Sequence, residues 1–451
     1  MEQNTVQREE QLTAITPSKR QLAHQQLEFY GFFHYTINTY TGKEWGDGTE
    51  SPSLFSPSHL DAGQWVRAIK AAGMKGAILT CKHHDGFCLW PSRYTGHTVA
   101  ASPYKNGSGD VVAEVADACR KEGLKFGIYL SPWDRNHPSY GQGEAYDDYF
   151  VNQLTELLTN YGEIFCVWLD GACGEGKNGK VQRYDWNRYY ETIRRLQPEA
   201  CISVTGPDIR WCGNEAADTR KEEWSVVSAR MFDPMKIQEN SQQDDTREFR
   251  QKKIASSDQD LGSRKALEGE EKLIWYPAEV DVSIRPGWFY HPKEDAMVRS
   301  PQELLEIYDR SVGGNALLLL NVPPMPDGRL NDADVKALEG LGDLIRDRQK
   351  HNAALDARIQ HGFAKDGTFY IKLDWEKPVS LSFLVLQEDI RYSQRVEAFR
   401  ILDGETKEVL YTGTVIGYKK HILLPEKKLK RLVVEIRKSR REPHILNTEC
   451  Y

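Results

Sequence analysis

The chain has 451 residues, with 59 Lys and Arg against 66 Asp and Glu, a net charge of −7, 39% hydrophobic and 28% charged residues. That is a globular balance, and the negative charge argues against nucleic acid as a partner. No run reaches the roughly 18 apolar residues of a membrane span, and the length suits a barrel-sized domain followed by a smaller one.

The start, "MEQNTVQREEQLTAITPSKRQ", is polar and lacks the apolar core of a signal peptide. The chain is therefore expected to be cytoplasmic, or periplasmic or secreted after a signal peptide has been removed. Apolar runs and amphipathic segments then alternate. "EFYGFFHYT" (28–36) reads as a strand, and "HLDAGQWVRAIKAAG" (59–73) as a helix ending on Gly73. "GAILTCKHH" (76–84) is a strand. "GDVVAEVADACRKEG" (109–123) is a helix that Asp110 caps and Gly123 stops. The strand "KFGIYLSP" (125–132), the helix 146–162, the strand "IFCVWLDG" (164–171), the helix 185–198 and the strand "CISVTG" (201–206) follow. "LIWYPAEVDVSI" (273–284), "PQELLEIYDRSVGG" (301–314) and "ALLLLNVPP" (316–324) continue the alternation. This order predicts a parallel sheet. Its length, and the lack of GxGxxG after the first strand, predict a (β/α)₈-like barrel over residues 1–350. The charged segment 206–272 fits no regular unit, so one or two units there are expected to be irregular or missing.

Beyond residue 350 helices give way to short strands between turns, among them "GTFYIKLDW", "VSLSFLVLQ", "RVEAFRILD" and "RLVVEIRKS". Residues 351–451 are expected to form a β-sandwich. The eight cysteines include no CxxC pair, and Cys81, Cys166 and Cys201 lie in strand-like runs, as reduced core thiols do.

In a parallel barrel, polar residues at the C-terminal strand ends face the active site. Here those ends carry His34, then His83 and His84, then Tyr129, then Asp170, and the loop after the fifth strand holds Glu215. Asp170 ends a run of apolar residues, where a carboxylate is either used, paired, or capping a turn. Glu215 in a charged loop could be simply solvated, but Trp211 and the Gly213-Asn214 turn could fold it over the site. Two carboxylates on one pocket are the minimum equipment for glycoside hydrolysis. The 10% aromatic content suits sugar binding as well. Metal binding is the competing reading. It would favour His-x-His on the first strand, whereas His34 stands alone and adjacent His83 and His84 face opposite ways on a regular strand. No metal and no cofactor are expected.

At these residues the chain resembles glycoside hydrolase family twenty-nine, the retaining α-L-fucosidases. "GFFHYTINTYTGKEWGDG", "GAILTCKHHDGFCLWPSRYT", "GIYLSPWD", "VWLDGACGEG" and "LLLLNVPPMPDGRL" are similar to the family's barrel blocks, and "QEDIRYSQRVEAFRI" to its C-terminal sandwich. The resemblance implies double displacement with Asp170 as nucleophile. Gly213-Asn214-Glu215 resembles the acid/base segment of the branch acting on α-1,3/4-linked fucose. It further implies fucose contacts at His34, His83, His84, Tyr129, Trp45 and Trp288, and places Glu44 in a matching loop. Ala217 stands where the family pattern often has Gly. The implied partner is a fucosylated oligosaccharide or glycoconjugate. An α-L-galactosidase, a fucosidase of broader linkage range and a non-catalytic fucose-binding protein are the alternatives.

Overall fold

Strand β1 (Phe29–Phe33) sends Tyr30 and Phe32 into one apolar cluster and Phe29 and Phe33 into another. That two-residue alternation between two buried faces is what a barrel strand requires. It recurs through β2 (Gly76–Lys82) and β3 (Lys125–Leu130); β4 (Ile164–Leu169), β5 (Cys201–Val204) and β6 (Arg210–Trp211) follow in the chain. Two short strands, β7 (Val226–Ser228) and β8 (Leu273–Trp275), pair with each other in a separate antiparallel ribbon. β9 (Ala278–Ser283) and β10 (Leu317–Asn321) complete the main sheet. The computed structural model describes residues 2–239, 242 and 244–451, with the backbone alone for 2–6. Met1 of the polar start, and Asn240, Ser241 and Gln243 of the charged segment, lie outside the described residues.

The eight strands pair in the order β5-β4-β3-β2-β1-β10-β9-β6, all parallel. A parallel bridge between Ser203 and Ile209 brings the two ends together. The result is a nearly closed (β/α)₈-like barrel. Its outer helices are Ala62–Ala71, Val111–Glu122, Glu144–Asn160, Trp186–Leu196, Pro301–Ser311 and Asp332–Arg348. Asp110 caps the second of these by accepting from Ala113 N at 2.9 Å, and Gly123 ends it with φ of 73°. The irregularity expected in 206–272 has a definite form. Residues 205–209 alone link β5 to β6, with no helix. The β7–β8 ribbon and two helices of one turn or little more fill the place of the next one.

Two readings need correction. Arg210–Trp211 is a barrel strand, so Glu215 follows the sixth strand rather than the fifth. Two residues are too short a run to show a period. The stretch 273–284 is two strands, interrupted at Tyr276-Pro277, where proline removes a ladder donor.

At the C-terminus, β11 (Arg358–Phe363), β12 (Phe369–Glu388), β13 (Val396–Asp403), β14 (Val409–Gly413), β15 (Lys420–Ser439) and β16 (Ile445–Cys450) form one antiparallel sheet. Register shifts near Asp374 and Leu381 kink the long β12–β15 pair, so its two halves fold over a shared core. The four runs "GTFYIKLDW", "VSLSFLVLQ", "HILLP" and "RLVVEIRKS" are thus halves of two bent strands. The sheet docks on the barrel where His421 N donates to Gly313 O at 2.9 Å. The Arg348 guanidinium also lies 4.0 Å from the Phe383 ring centroid.

Behind β2, the fully buried Lys82 ammonium reaches Asp134 at 3.0 Å and Gln153 at 2.9 Å. Removing one partner of a sealed ion pair strands the other charge. Lys82→Met should therefore lower the unfolding free energy by about 3 kcal/mol, seen as a lower urea midpoint. An unchanged midpoint would show that the pair contributes nothing.

Candidate active site

The C-terminal ends of the barrel strands open on a cavity of about 480 Å³, within the range of roughly 300–1,000 Å³ for small-molecule sites. His34, Glu44, Trp45, His83, His84, Tyr129, Asp170, Glu215 and Trp288 all line it. Phe32, Trp168, Trp211, Asp245, Phe249 and Asp281 line it too.

Two of the three imidazoles, those of His34 and His84, are oriented from behind. Asn321 gives its amide hydrogens to Ser283 Oγ (2.9 Å) and the Trp288 carbonyl (2.8 Å). Its oxygen therefore accepts from His34 Nδ1 at 2.8 Å, which leaves the His34 Nε2 lone pair unused. Ser131 Oγ donates to the Trp133 carbonyl at 2.7 Å, so it accepts from His84 Nδ1 at 2.7 Å. His84 Nε2 then stands 3.9 Å from Asp170 Oδ2. Burial pushes His34 down to about 3 and His84 down to about 4, and drives His83 well below the usual imidazole value. Burial thus favours the neutral form of all three, and His34 and His84, whose Nδ1 hydrogens are already given away, keep only an Nε2 acceptor.

The expectation that His83 and His84 face opposite ways does not hold. β2 ends at Lys82, and both histidines lie in the turn beyond it, with ring centroids 4.1 Å apart. Gly86, at φ of 80°, closes that turn, where its N–H bonds the His83 carbonyl at 3.0 Å. Asp85 stays out of the cavity and accepts from Phe87 N at 2.7 Å. Among the described residues, no three His, Cys, Asp or Glu side chains are arranged to hold a metal ion.

The two carboxylates have different surroundings. Asp170 follows inward-facing Trp168 by two residues and so turns into the barrel mouth. Tyr129 Oη donates to its Oδ2 at 2.9 Å, and the Ala172 amide to its Oδ1 at 2.8 Å. Tyr129 is held between Trp168 and His83, stacked at 5.4 and 5.7 Å. Glu215 is raised to about 7, first by burial and further by the charges of Asp245 and Asp170. Trp288 opposes the shift by donating its indole N–H to Glu215 Oε2 at 3.1 Å. Trp211, expected to cover Glu215, instead donates to Asp281 at 2.6 Å.

Loops interlock to aim these groups. Glu44 accepts from Trp288 N at 2.8 Å and from His291 Nε2 at 2.6 Å, so it clamps the loop that carries Trp288. Trp45 packs edge-on against His84, with centroids 5.0 Å apart. Buried Asn214 folds the Glu215 turn: its oxygen accepts from Ala216 N (3.0 Å) and Asp218 N (2.9 Å), and its amide donates to the Asp218 carbonyl at 3.0 Å.

The family model described as Alpha-L-fucosidase matches residues 14–350. The chain belongs to the α-L-fucosidase family. It is 37% identical to Alpha-L-fucosidase 1 of Arabidopsis thaliana over 95% of this chain and 86% of that one. A crystal structure from Bacteroides ovatus, of a protein proposed to be an α-L-fucosidase, superimposes with a TM-score of 0.89 at 44% identity. That match covers 99% of this chain and 76% of the other. A Ruminococcus gnavus family twenty-nine fucosidase solved in complex with fucose gives a TM-score of 0.81 at 28% identity, covering 97% and 95% of the two chains. The protein is thus a glycoside hydrolase.

Ala217 gives the Glu215 turn a measurable signature. Its φ is 55°, in the left-handed region that disfavours any residue with a Cβ by about 1 kcal/mol. Ala217→Gly should raise thermal stability by the equivalent of about 0.5 kcal/mol. A fall in melting temperature would mean that the turn relies on the Ala217 methyl for packing.

Proposed function

We propose that this fucosidase is a retaining exo-enzyme that removes α-1,3- and α-1,4-linked fucose from branched glycans by double displacement. One observation carries the reading: two carboxyl groups share one cavity, one hydrogen-bonded as an anion would be, the other held protonated near neutrality. Such divergence separates a nucleophile from a general acid. Asp170 attacks the anomeric carbon, and its C–O bond to the sugar forms as the glycosidic bond breaks. Glu215 gives its proton to the departing oxygen. Glu215, now ionised, takes a proton from water, which cleaves the sugar–Asp170 ester and restores both groups. The neutral imidazoles of His34, His83 and His84 hydrogen-bond the sugar hydroxyls, while Trp45 and Trp288 pack on its apolar faces. Tyr129 holds Asp170 in line, and Glu44 acts through Trp288 by fixing its loop. Residues 1–350 form the catalytic unit, and 351–451 buttress it through the contacts around Gly313 and Arg348.

The linkage preference rests on the Gly213-Asn214-Glu215 segment, whose fold depends on Asn214. The enzyme should release fucose from a branched Lewis trisaccharide far faster than from an α-1,2-linked fucosyllactose. The opposite order would overturn the assignment.

Asp170→Ala should lose several orders of magnitude in kcat on every substrate, and near-normal turnover would remove it as the nucleophile. Glu215→Ala should spare activated aryl fucosides relative to natural glycans, because a good leaving group needs no proton. Equal losses on both would argue against the acid role.

The pH profile has a definite sign. The acid must be protonated in the free enzyme, so the alkaline limb of kcat/KM on a natural glycan should fall as pH rises through about 7. In Glu215→Gln that alkaline limb should vanish from the residual activity. A limb that persists unchanged would belong to another group.

A further inference from the structure

β9 alternates Glu279, Asp281 and Ser283 with Val280 and Val282, and the valines belong to the outer core. The polar three therefore face the barrel interior, in layers that climb towards the cavity. The lower two are both carboxyls, but they are satisfied differently. Glu279 is sealed: Tyr30 donates to one oxygen, and Trp168 Nε1 to the other at 2.7 Å. Asp281 stands one layer higher and lines the cavity. Its Oδ1 accepts from Trp211 Nε1 at 2.6 Å; apart from its own backbone amide, the carboxyl has no other donor among the described residues. Its second oxygen is not among the sealed unpaired atoms, so it opens on the cavity. No Lys or Arg pairs with Asp281 among the described residues, although it is only 4% exposed. A carboxyl so placed has one hydrogen-bonding position left over, and only the occupant of the cavity can fill it.

We propose that Asp281 is a sugar-binding residue of this cavity, whose free carboxyl oxygen hydrogen-bonds one hydroxyl of the bound fucose and so helps set specificity for the sugar. The inference rests on the fucosidase reading of the site and adds a third carboxyl to it. Burial without a cation raises Asp281 well above the usual carboxyl value, which favours its protonated form, and Glu215 adds to this whenever it is ionised. It therefore acts as a neutral partner that can donate to the hydroxyl oxygen, and it does not compete with Asp170 for the anomeric carbon. The alternative is that Asp281 serves only to anchor Trp211.

Competitive inhibition of aryl-fucoside hydrolysis by L-fucose and its 2-, 3- and 4-deoxy forms separates the two. In the wild-type enzyme, the deoxy sugar lacking the hydroxyl that meets Asp281 should bind about tenfold more weakly than fucose. Asp281→Ala should weaken fucose by a similar factor, yet bind that same deoxy sugar no worse than wild type does. The two losses are then not additive. Asp281→Asn, which keeps a neutral donor of the same shape, should restore fucose binding to within about threefold. Asp281→Leu repeats the cycle should the alanine variant fail to fold, and thermal unfolding checks each protein. Additive losses for all three deoxy sugars would overturn the proposal and leave Asp281 as an anchor for Trp211. Fucose that inhibits wild type while every cycle is additive sinks only this inference. A wild-type enzyme that neither binds nor releases fucose would remove the functional reading, and the Asp281 proposal with it.

Discussion

All eight barrel strands run in the same direction, and the site depends on that constraint. Parallel strands bring every C-terminal end to one rim, and the two-residue period then decides which side chains turn inward there. Trp168 faces in, so Asp170 faces in; Val280 faces out, so Asp281 faces in. The same closure fills the space below with Tyr30, Phe32, Tyr129 and Trp168, which keeps the floor of the cavity dry. Dryness in turn sets the charge states. Loss of water neutralises all three imidazoles and holds Glu215 protonated near neutrality. Acid, base and hydrogen-bonding groups thus share one cause.

Aim comes from a second layer of contacts. Asn321 and Ser131 fix the tautomers of His34 and His84 through donors and acceptors that allow no other assignment. Glu215, the proposed acid, is tied more indirectly. Glu44, after the first strand, holds the backbone of Trp288, beyond β9, and the Trp288 indole holds Glu215, after the sixth strand. Three segments far apart in the chain therefore meet at one carboxyl. A disturbance in any of them reaches the Glu215 carboxyl.

Much of this was legible in the sequence, because strong periods and caps say where elements lie. Asp110 and Gly123 bracket their helix as written, and the apolar run before Asp170 announces a buried strand with a carboxylate at its lip. Features shorter than a period escaped notice. Arg210–Trp211 shows no alternation of its own, and its place in the barrel is known only from pairing with β9. His83 and His84 were assigned opposite faces because the strand was carried two residues too far; a tight turn, not a strand, presents them. The partner of Glu215 could not be read from proximity in sequence, since Trp211 is near but Trp288 makes the bond. Asp281 did leave a signal. "AEVDVS" alternates polar and apolar residues, and on a barrel strand the polar set must face inside. The bends in β12 and β15 depend on bulges, which no pattern of hydrophobicity marks.

The proposed double displacement would make Asp170 a covalent partner of the sugar, and that is directly observable. A 2-deoxy-2-fluoro fucosyl fluoride slows both steps but leaves with fluoride easily, so the sugar–enzyme ester should accumulate. Digestion and mass spectrometry of the inactivated protein should then find the fluorosugar on the peptide that carries Asp170, one per chain. A label on Glu215, or an active enzyme that the reagent never modifies, would contradict the mechanism.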